Sequence, residues 1–184
     1  FVGFNSVTAQ MKITASDVVY KSGDETVKGF LAKPEGNGPF PALIVIHEWW
    51  GLTDWVKEST KTLAQNGYVA LAIDLYRGKV ASDPDAAHQI MRGLPEDRAL
   101  KDLKAADEYL KSQKIVNPKK IGSIGWCMGG GYSLQTAVAV PDLAACVINY
   151  GRMVEDKQLI RQINAPILGI FGALDKGILP ADVK

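Results

Sequence analysis

The 184-residue chain is 47% hydrophobic and sets 21 basic against 20 acidic side chains, for a formal net charge of +1. That length and content suit one globular domain with a substantial core, and charges scattered in runs of two or three at most give neither a basic face for nucleic acid nor an acidic tail. No apolar run approaches the roughly 20 residues that cross a bilayer, and two cysteines without a C-x-x-C pair argue against a disulfide framework and against a zinc site.

The first ten residues read unlike the rest. Val7-Thr8-Ala9 before Gln10 has the small-residue pattern of a signal-peptidase site, with Phe1 to Phe4 as the tail of an apolar region. Export is therefore favoured over a cytoplasmic location, with a disordered N-terminus as the alternative. The domain proper starts at Met11. Met11 to Tyr20 and Thr26 to Lys33 read as extended segments joined by the polar turn Lys21 to Glu25, an antiparallel hairpin at a sheet edge. Pro41 to Ile46 is a continuous apolar run, as expected of a strand covered on both faces.

A helix is predicted over 54–66, with Thr53 as N-cap and Gly67 just past its end, leading into a strand from Tyr68 to Ile73. Asp83-Pro84 opens a short helix that Gly93 ends, and Pro95 opens another. In this second helix Leu100, Leu103, Ala106 and Leu110 form a buried stripe, with Lys101, Lys104, Asp107 and Lys111 on the wet side. A strand from Lys120 to Ile124, a helix from Met128 to Val140, a strand from Ala144 to Tyr150, a short helix from Glu155 to Ile163 and a strand from Pro166 to Phe171 complete the series. Such alternation implies an α/β fold, a mostly parallel, doubly wound sheet with helices on both faces and its ligand site at the carboxyl ends of the strands. His47, Glu48, Asp74, Arg77, Cys127, Tyr150 and Asp175 all fall just beyond such ends.

Gly125-Trp126-Cys127-Met128-Gly129-Gly130 stands between a strand and a helix, the layout of a nucleophile elbow. The turn strains its central residue, so the flanking positions must be nearly free of side chain. A thiol there would also sit at a helix N-terminus, whose unpaired N–H groups and dipole favour thiolate over thiol. A buried cysteine in an ordinary glycine-rich turn is the competing interpretation. A cysteine nucleophile needs a base, a carboxylate to orient that base, and donors for the oxyanion. The donors would be the backbone N–H groups of Met128 and Trp49, and Asp175 would be the carboxylate, unless it is only a turn residue. The base is missing. His88 lies in a polar helix and reads as a surface histidine, while His47 ends a strand, where it lines the pocket or serves as a structural hydrogen-bonding group. The sequence Leu179-Pro180-Ala181-Asp182 looks like the opening of a further helix, so the chain is expected to continue past Lys184.

From about Met11 to Lys184 the sequence resembles the dienelactone hydrolase family of α/β-hydrolases. The elbow matches that family's G-x-C-x-G-G, with cysteine where most α/β-hydrolases have serine. His47-Glu48-Trp49-Trp50-Gly51, Asp74-Leu75-Tyr76-Arg77-Gly78 and Phe171-Gly172-Ala173-Leu174-Asp175 resemble three further landmarks, in the same order. The resemblance implies an α/β-hydrolase fold whose last strand and helix lie beyond Lys184, together with the triad histidine. It implies that Glu48 contacts the resting nucleophile and helps move its proton, and that no metal or cofactor is needed. Arg77 follows D-L-Y at once, where the family's first arginine follows after one intervening residue. It either clamps a substrate carboxylate or pairs with Asp74.

The implied activity is hydrolysis of esters or lactones through a Cys127 thioester, with a small-molecule substrate and neither nucleic acid nor membrane as partner. Trp49, Trp50 and Tyr150 would wall a flat unsaturated substrate. A thiolate leaves more readily than an alkoxide, so enolate or phenolate leaving groups are favoured. A non-catalytic binding domain on the same fold and a thiol-dependent thioesterase or acyltransferase are the alternatives.

Overall fold

The computed structural model describes residues 10–183. The export signal expected from the sequence falls on residues 1–9 and lies outside them. Seven strands form one sheet: β1 (Ile13–Ser22), β2 (Glu25–Pro34), β3 (Phe40–Ile46), β4 (Val69–Ile73), β5 (Val116–Trp126), β6 (Ala145–Asn149) and β7 (Ile167–Ile170). Their order across the sheet is β1-β2-β4-β3-β5-β6-β7. β1 pairs antiparallel with β2, and β2 antiparallel with β4, while β4, β3, β5, β6 and β7 run parallel. The hairpin thus occupies the edge where its sequence placed it.

The apolar run of β3 explains the two-sided packing. Ile44 and Ile46 share one core with Leu71, Ile73, Leu103 and Leu110, whereas Val45 joins Ala70, Ala72, Val56 and Ala64 on the opposite face. Alternate side chains point to opposite faces of a strand, so both must be apolar when helices cover both sides. Helix α1 (Asp54–Gln65) covers one face. Helices α2 (Pro84–Arg92), α3 (Glu96–Ser112) and α4 (Met128–Ala139) follow in the chain, and α3 and α4 bury their stripes on the other face. Asp83 caps α2 by accepting from the Ala86 N–H at 2.9 Å, as the Asp-Pro pair predicts. The chain closes with two single-turn helices, α5 (Lys157–Ile160) and α6 (Pro180–Val183).

Three local expectations are corrected. Asp107, assigned to the wet side of α3, is 4% exposed and pairs with Lys111 at 2.7 Å, which is how a carboxylate tolerates that position. β5 starts at Val116, ahead of Lys120, because a bulge lets it pair Phe40 with Val116 before resuming at Ala42 and Ile121. The helix expected over 155–163 shrinks to α5, whose four residues are all exposed and so gain nothing from packing. β7 is exposed along its length, with Ile167, Leu168 and Ile170 each about half accessible.

Candidate active site

Cys127 links β5 to α4 with φ 55° and ψ −119°, outside the regions an ordinary L-residue prefers. Such a conformation costs on the order of 1–3 kcal/mol and persists only where its surroundings enforce it. Here the enforcement is visible. The Cys127 N–H donates to Asn149 O at 3.0 Å, and the Cys127 carbonyl accepts from Gly130 N–H at 3.0 Å. A Cβ at Gly125 would strike the Gly129 carbonyl, and one at Gly129 would strike the carbonyls of Ile46 and His47. The first turn of α4 is therefore pressed directly onto the end of β3, and only glycine permits it.

The sulfur is half-buried, and its surroundings contradict one expectation. Burial raises the Cys127 pKa above that of a free thiol, and the charges of Glu48 and Asp175 raise it further. The backbone N–H groups of Met128 and Trp49 act in the opposite direction and are outweighed. The helix N-terminus does favour thiolate, but desolvation and two carboxylates win, so the resting site holds a thiol. Met128 and Trp49, the two backbone donors singled out from the sequence, are both near enough to this atom to act on it.

The carboxylates come from separate loops. Glu48 leaves the end of β3, and its Oε1 accepts from the Tyr150 hydroxyl at 3.1 Å across 102 residues of sequence. Tyr150 follows β6 with φ 40°, its N–H donating to Ile170 O at 2.7 Å. Asp175 Oδ1 accepts from the N–H groups of Gly177 and Ile178, at 2.7 and 3.2 Å, so it both closes its own turn and charges the site. Tyr76 donates its hydroxyl to Met128 Sδ at 3.2 Å, a contact between β4's end and the elbow that nothing in the sequence pattern announced.

His47 does not line the pocket. It is fully buried, Nδ1 bonded to the Glu48 carbonyl and Nε2 accepting from the Leu75 N–H at 3.3 Å, with its ring edge-on to Tyr76. Both nitrogens are committed, and burial lowers its pKa, so it is a neutral tie between the ends of β3 and β4. His88 is exposed, as expected, but its ring stands edge-on to Trp49 with centroids 4.7 Å apart. Trp50 also packs edge-on against Trp49, at 5.0 Å.

Arg77 is neither a free clamp nor the partner of Asp74. Its guanidinium binds Asp102 bidentately, at 2.7 and 3.1 Å, and Glu25 at 2.8 Å. Asp102 is fully buried on α3, and a carboxylate taken out of water demands such a partner. Asp74 accepts instead from the backbone N–H groups of Tyr76 and Gly78. The signal for Asp102 was present: it stands three residues after Ala99 and four before Ala106, on the apolar stripe itself. Among the described residues no cluster of His, Cys, Asp and Glu is arranged to hold a metal. An open cavity of about 780 Å³ runs along α4, with Met91, Leu100, Tyr132 and Met153 in its wall, and shares Met128 with the elbow.

A parallel sheet entered by an antiparallel hairpin, with a strained cysteine at the strand-to-helix turn and carboxylates beyond the ends of β3 and β7, defines the α/β-hydrolase fold. The model of the dienelactone hydrolase family matches residues 27–184, and the chain belongs to that family. It is similar to the protein from Saccharolobus solfataricus named "Putative carboxymethylenebutenolidase", with 34% identity over 201 residues covering 88% of this chain and 76% of that one. It is also similar to Protein usf of Aquifex pyrophilus, at 38% identity over 166 residues, covering 86% and 71%. Among solved structures, a dienelactone hydrolase-like promiscuous phosphotriesterase from metagenomic libraries superposes with a TM-score of 0.84 at 28% identity, over 93% of this chain and 73% of that one. The chain is accordingly a dienelactone hydrolase-like hydrolase.

Proposed function

We propose that the chain cleaves carboxylic esters or lactones with enol- or aryl-type leaving groups through a thioester on Cys127. The observation that carries this reading is the positive φ of Cys127 at the head of α4, in the strand-to-helix turn beside the backbone N–H groups of Met128 and Trp49. In the first half-reaction Glu48 accepts the thiol proton, the thiolate adds to the carbonyl carbon, and the oxyanion takes the two N–H donors. Collapse expels the leaving group with a proton and leaves the acyl group on sulfur. Water then adds to the thioester, and collapse of that adduct frees the acid and restores the thiol.

The second half-reaction needs a base to activate water. His47 is buried and doubly bonded, and His88 is held against Trp49. This step therefore falls to a base other than His47 and His88, oriented by Asp175. Because Arg77 is consumed by Asp102 and Glu25, it supplies no clamp for a substrate carboxylate, and neutral esters fit the site better than anionic ones. Trp50 and Tyr150 remain candidates for walls along the substrate.

Mass spectrometry of the protein quenched during turnover of an activated aryl ester should find the acyl group on the peptide bearing Cys127. Cys127→Ala should lower the rate by at least roughly two orders of magnitude. Undiminished turnover in that variant would refute the assignment. Since burial and two carboxylates hold the thiol above its ordinary range, alkylation of Cys127 should keep climbing above neutral pH, and a plateau below pH 7 contradicts the resting state described here.

A further inference from the structure

We infer that Tyr150 is a positioning residue for Glu48: its phenol pins the carboxylate at the mouth of the elbow and thereby governs how the Cys127 thiol gives up its proton. The inference rests on the reading of Cys127 as nucleophile and Glu48 as its proton acceptor.

Three observations carry it. Tyr150 occupies the left-handed region at φ 40°, which a bulky side chain rarely enters. Glycine or asparagine would take that conformation with less strain, so a tyrosine held there suggests a task for its side chain. The phenol also hangs from a fixed point, because the Tyr150 N–H is bonded to β7 and the next residue, Gly151, lies against Gly130 of α4 with no room for a Cβ. Finally, the Tyr150 hydroxyl is the side-chain hydrogen bond that restrains the Glu48 carboxylate among the described residues. A glutamate at a loop has three free torsions, and a single directional bond decides where its charge resides.

The groups facing the sulfur are Glu48 from the loop after β3, Tyr76 from the loop after β4, Tyr150 from the end of β6 and Asp175 from the loop after β7. Neither phenol ionises near neutrality, since Tyr150 is pushed up to about 12 by burial and by Glu48 itself, and burial drives Tyr76 higher still. Pinning Glu48 therefore does two things. It keeps a negative charge close enough to suppress the thiolate at rest, and it keeps a proton acceptor in place for the moment of attack. Tyr150 is 38% exposed, so an arriving substrate can reach the phenol and loosen the latch.

The two effects have opposite signs in one variant, which makes the test discriminating. In Tyr150→Phe the carboxylate swings free. Alkylation of Cys127 by iodoacetamide should speed up about three- to tenfold at pH 7, and kcat/KM for an activated aryl ester should fall by a similar factor, the equivalent of half to one unit in thiol pKa. Glu48→Gln should reproduce both changes, and adding Tyr150→Phe to it should change neither further. Alkylation that slows or stays constant in Tyr150→Phe, or effects that add in full in the double variant, would overturn the role of Tyr150. Failure of the parent protein to alkylate at Cys127, read by peptide mass, overturns the nucleophile assignment instead. Cys146 is 1% exposed and does not compete for the reagent.

Discussion

The turn at Cys127 and the turn at Asp175 stand at strand ends two positions apart in the sheet, and they are held in opposite ways. The elbow is clamped by other elements: β3 carbonyls press on Gly129, Asn149 receives the Cys127 N–H, and Gly151 packs on Gly130. Asp175 is held by its own neighbours, Gly177 and Ile178, and the strand that leads to it is exposed throughout. Geometry imposed from several directions can sustain a strained residue, whereas a turn closed on itself can only place a charge. Cys127 is thus fixed by tertiary packing and Asp175 by local chain chemistry.

Paired substitutions test that contrast, beginning with the most severe. Gly129→Ala drives a methyl group into two backbone carbonyls that cannot rotate away. It should destabilise the protein by about 3 kcal/mol or more and remove hydrolase activity, as read by urea denaturation and by rate. A variant with near-normal stability would mean that the elbow is more pliable than its packing indicates. Gly172→Ala, in the loop before Asp175, meets only Asp175, its Cβ at 3.6 Å and its backbone nitrogen at 3.8 Å, both ordinary van der Waals contacts. Its effect on the denaturation midpoint should stay within about 0.5 kcal/mol. A large loss there would show that the Asp175 turn is also locked by packing.

What the sequence disclosed and what it hid divide along the same line. β3 was legible because six consecutive apolar residues admit few other placements, and the elbow because glycines flank a cysteine between a strand and a helix. The hydrogen bond from Tyr150 to Glu48 was not, since it joins loops 102 residues apart and depends on a side-chain direction set by an unusual φ. Arg77 was open between a substrate clamp and a pair with Asp74 and is neither, for a related reason: Asp74 is occupied by backbone donors, while Asp102 arrives from α3 buried and in need of a cation. His47 was open between pocket and core, and only its two bonded nitrogens decide the matter.

That same imidazole gives the fold a vulnerability to acid. His47 accepts a backbone hydrogen bond at Nε2 while neutral, and a proton there would turn an acceptor into a donor facing another donor. Its native pKa lies below the ordinary value of 6.5. Below that ordinary value the unfolded chain takes up a proton that the native state refuses, so melting temperature should decline as pH falls from about 6.5 toward the native pKa and level off beneath it. His47→Gln, which keeps a hydrogen-bonding side chain but cannot titrate, should flatten that segment of the curve. The rivet joining β3 to β4 would then act as a fuse, releasing the strand end that carries Glu48 when its surroundings turn acidic.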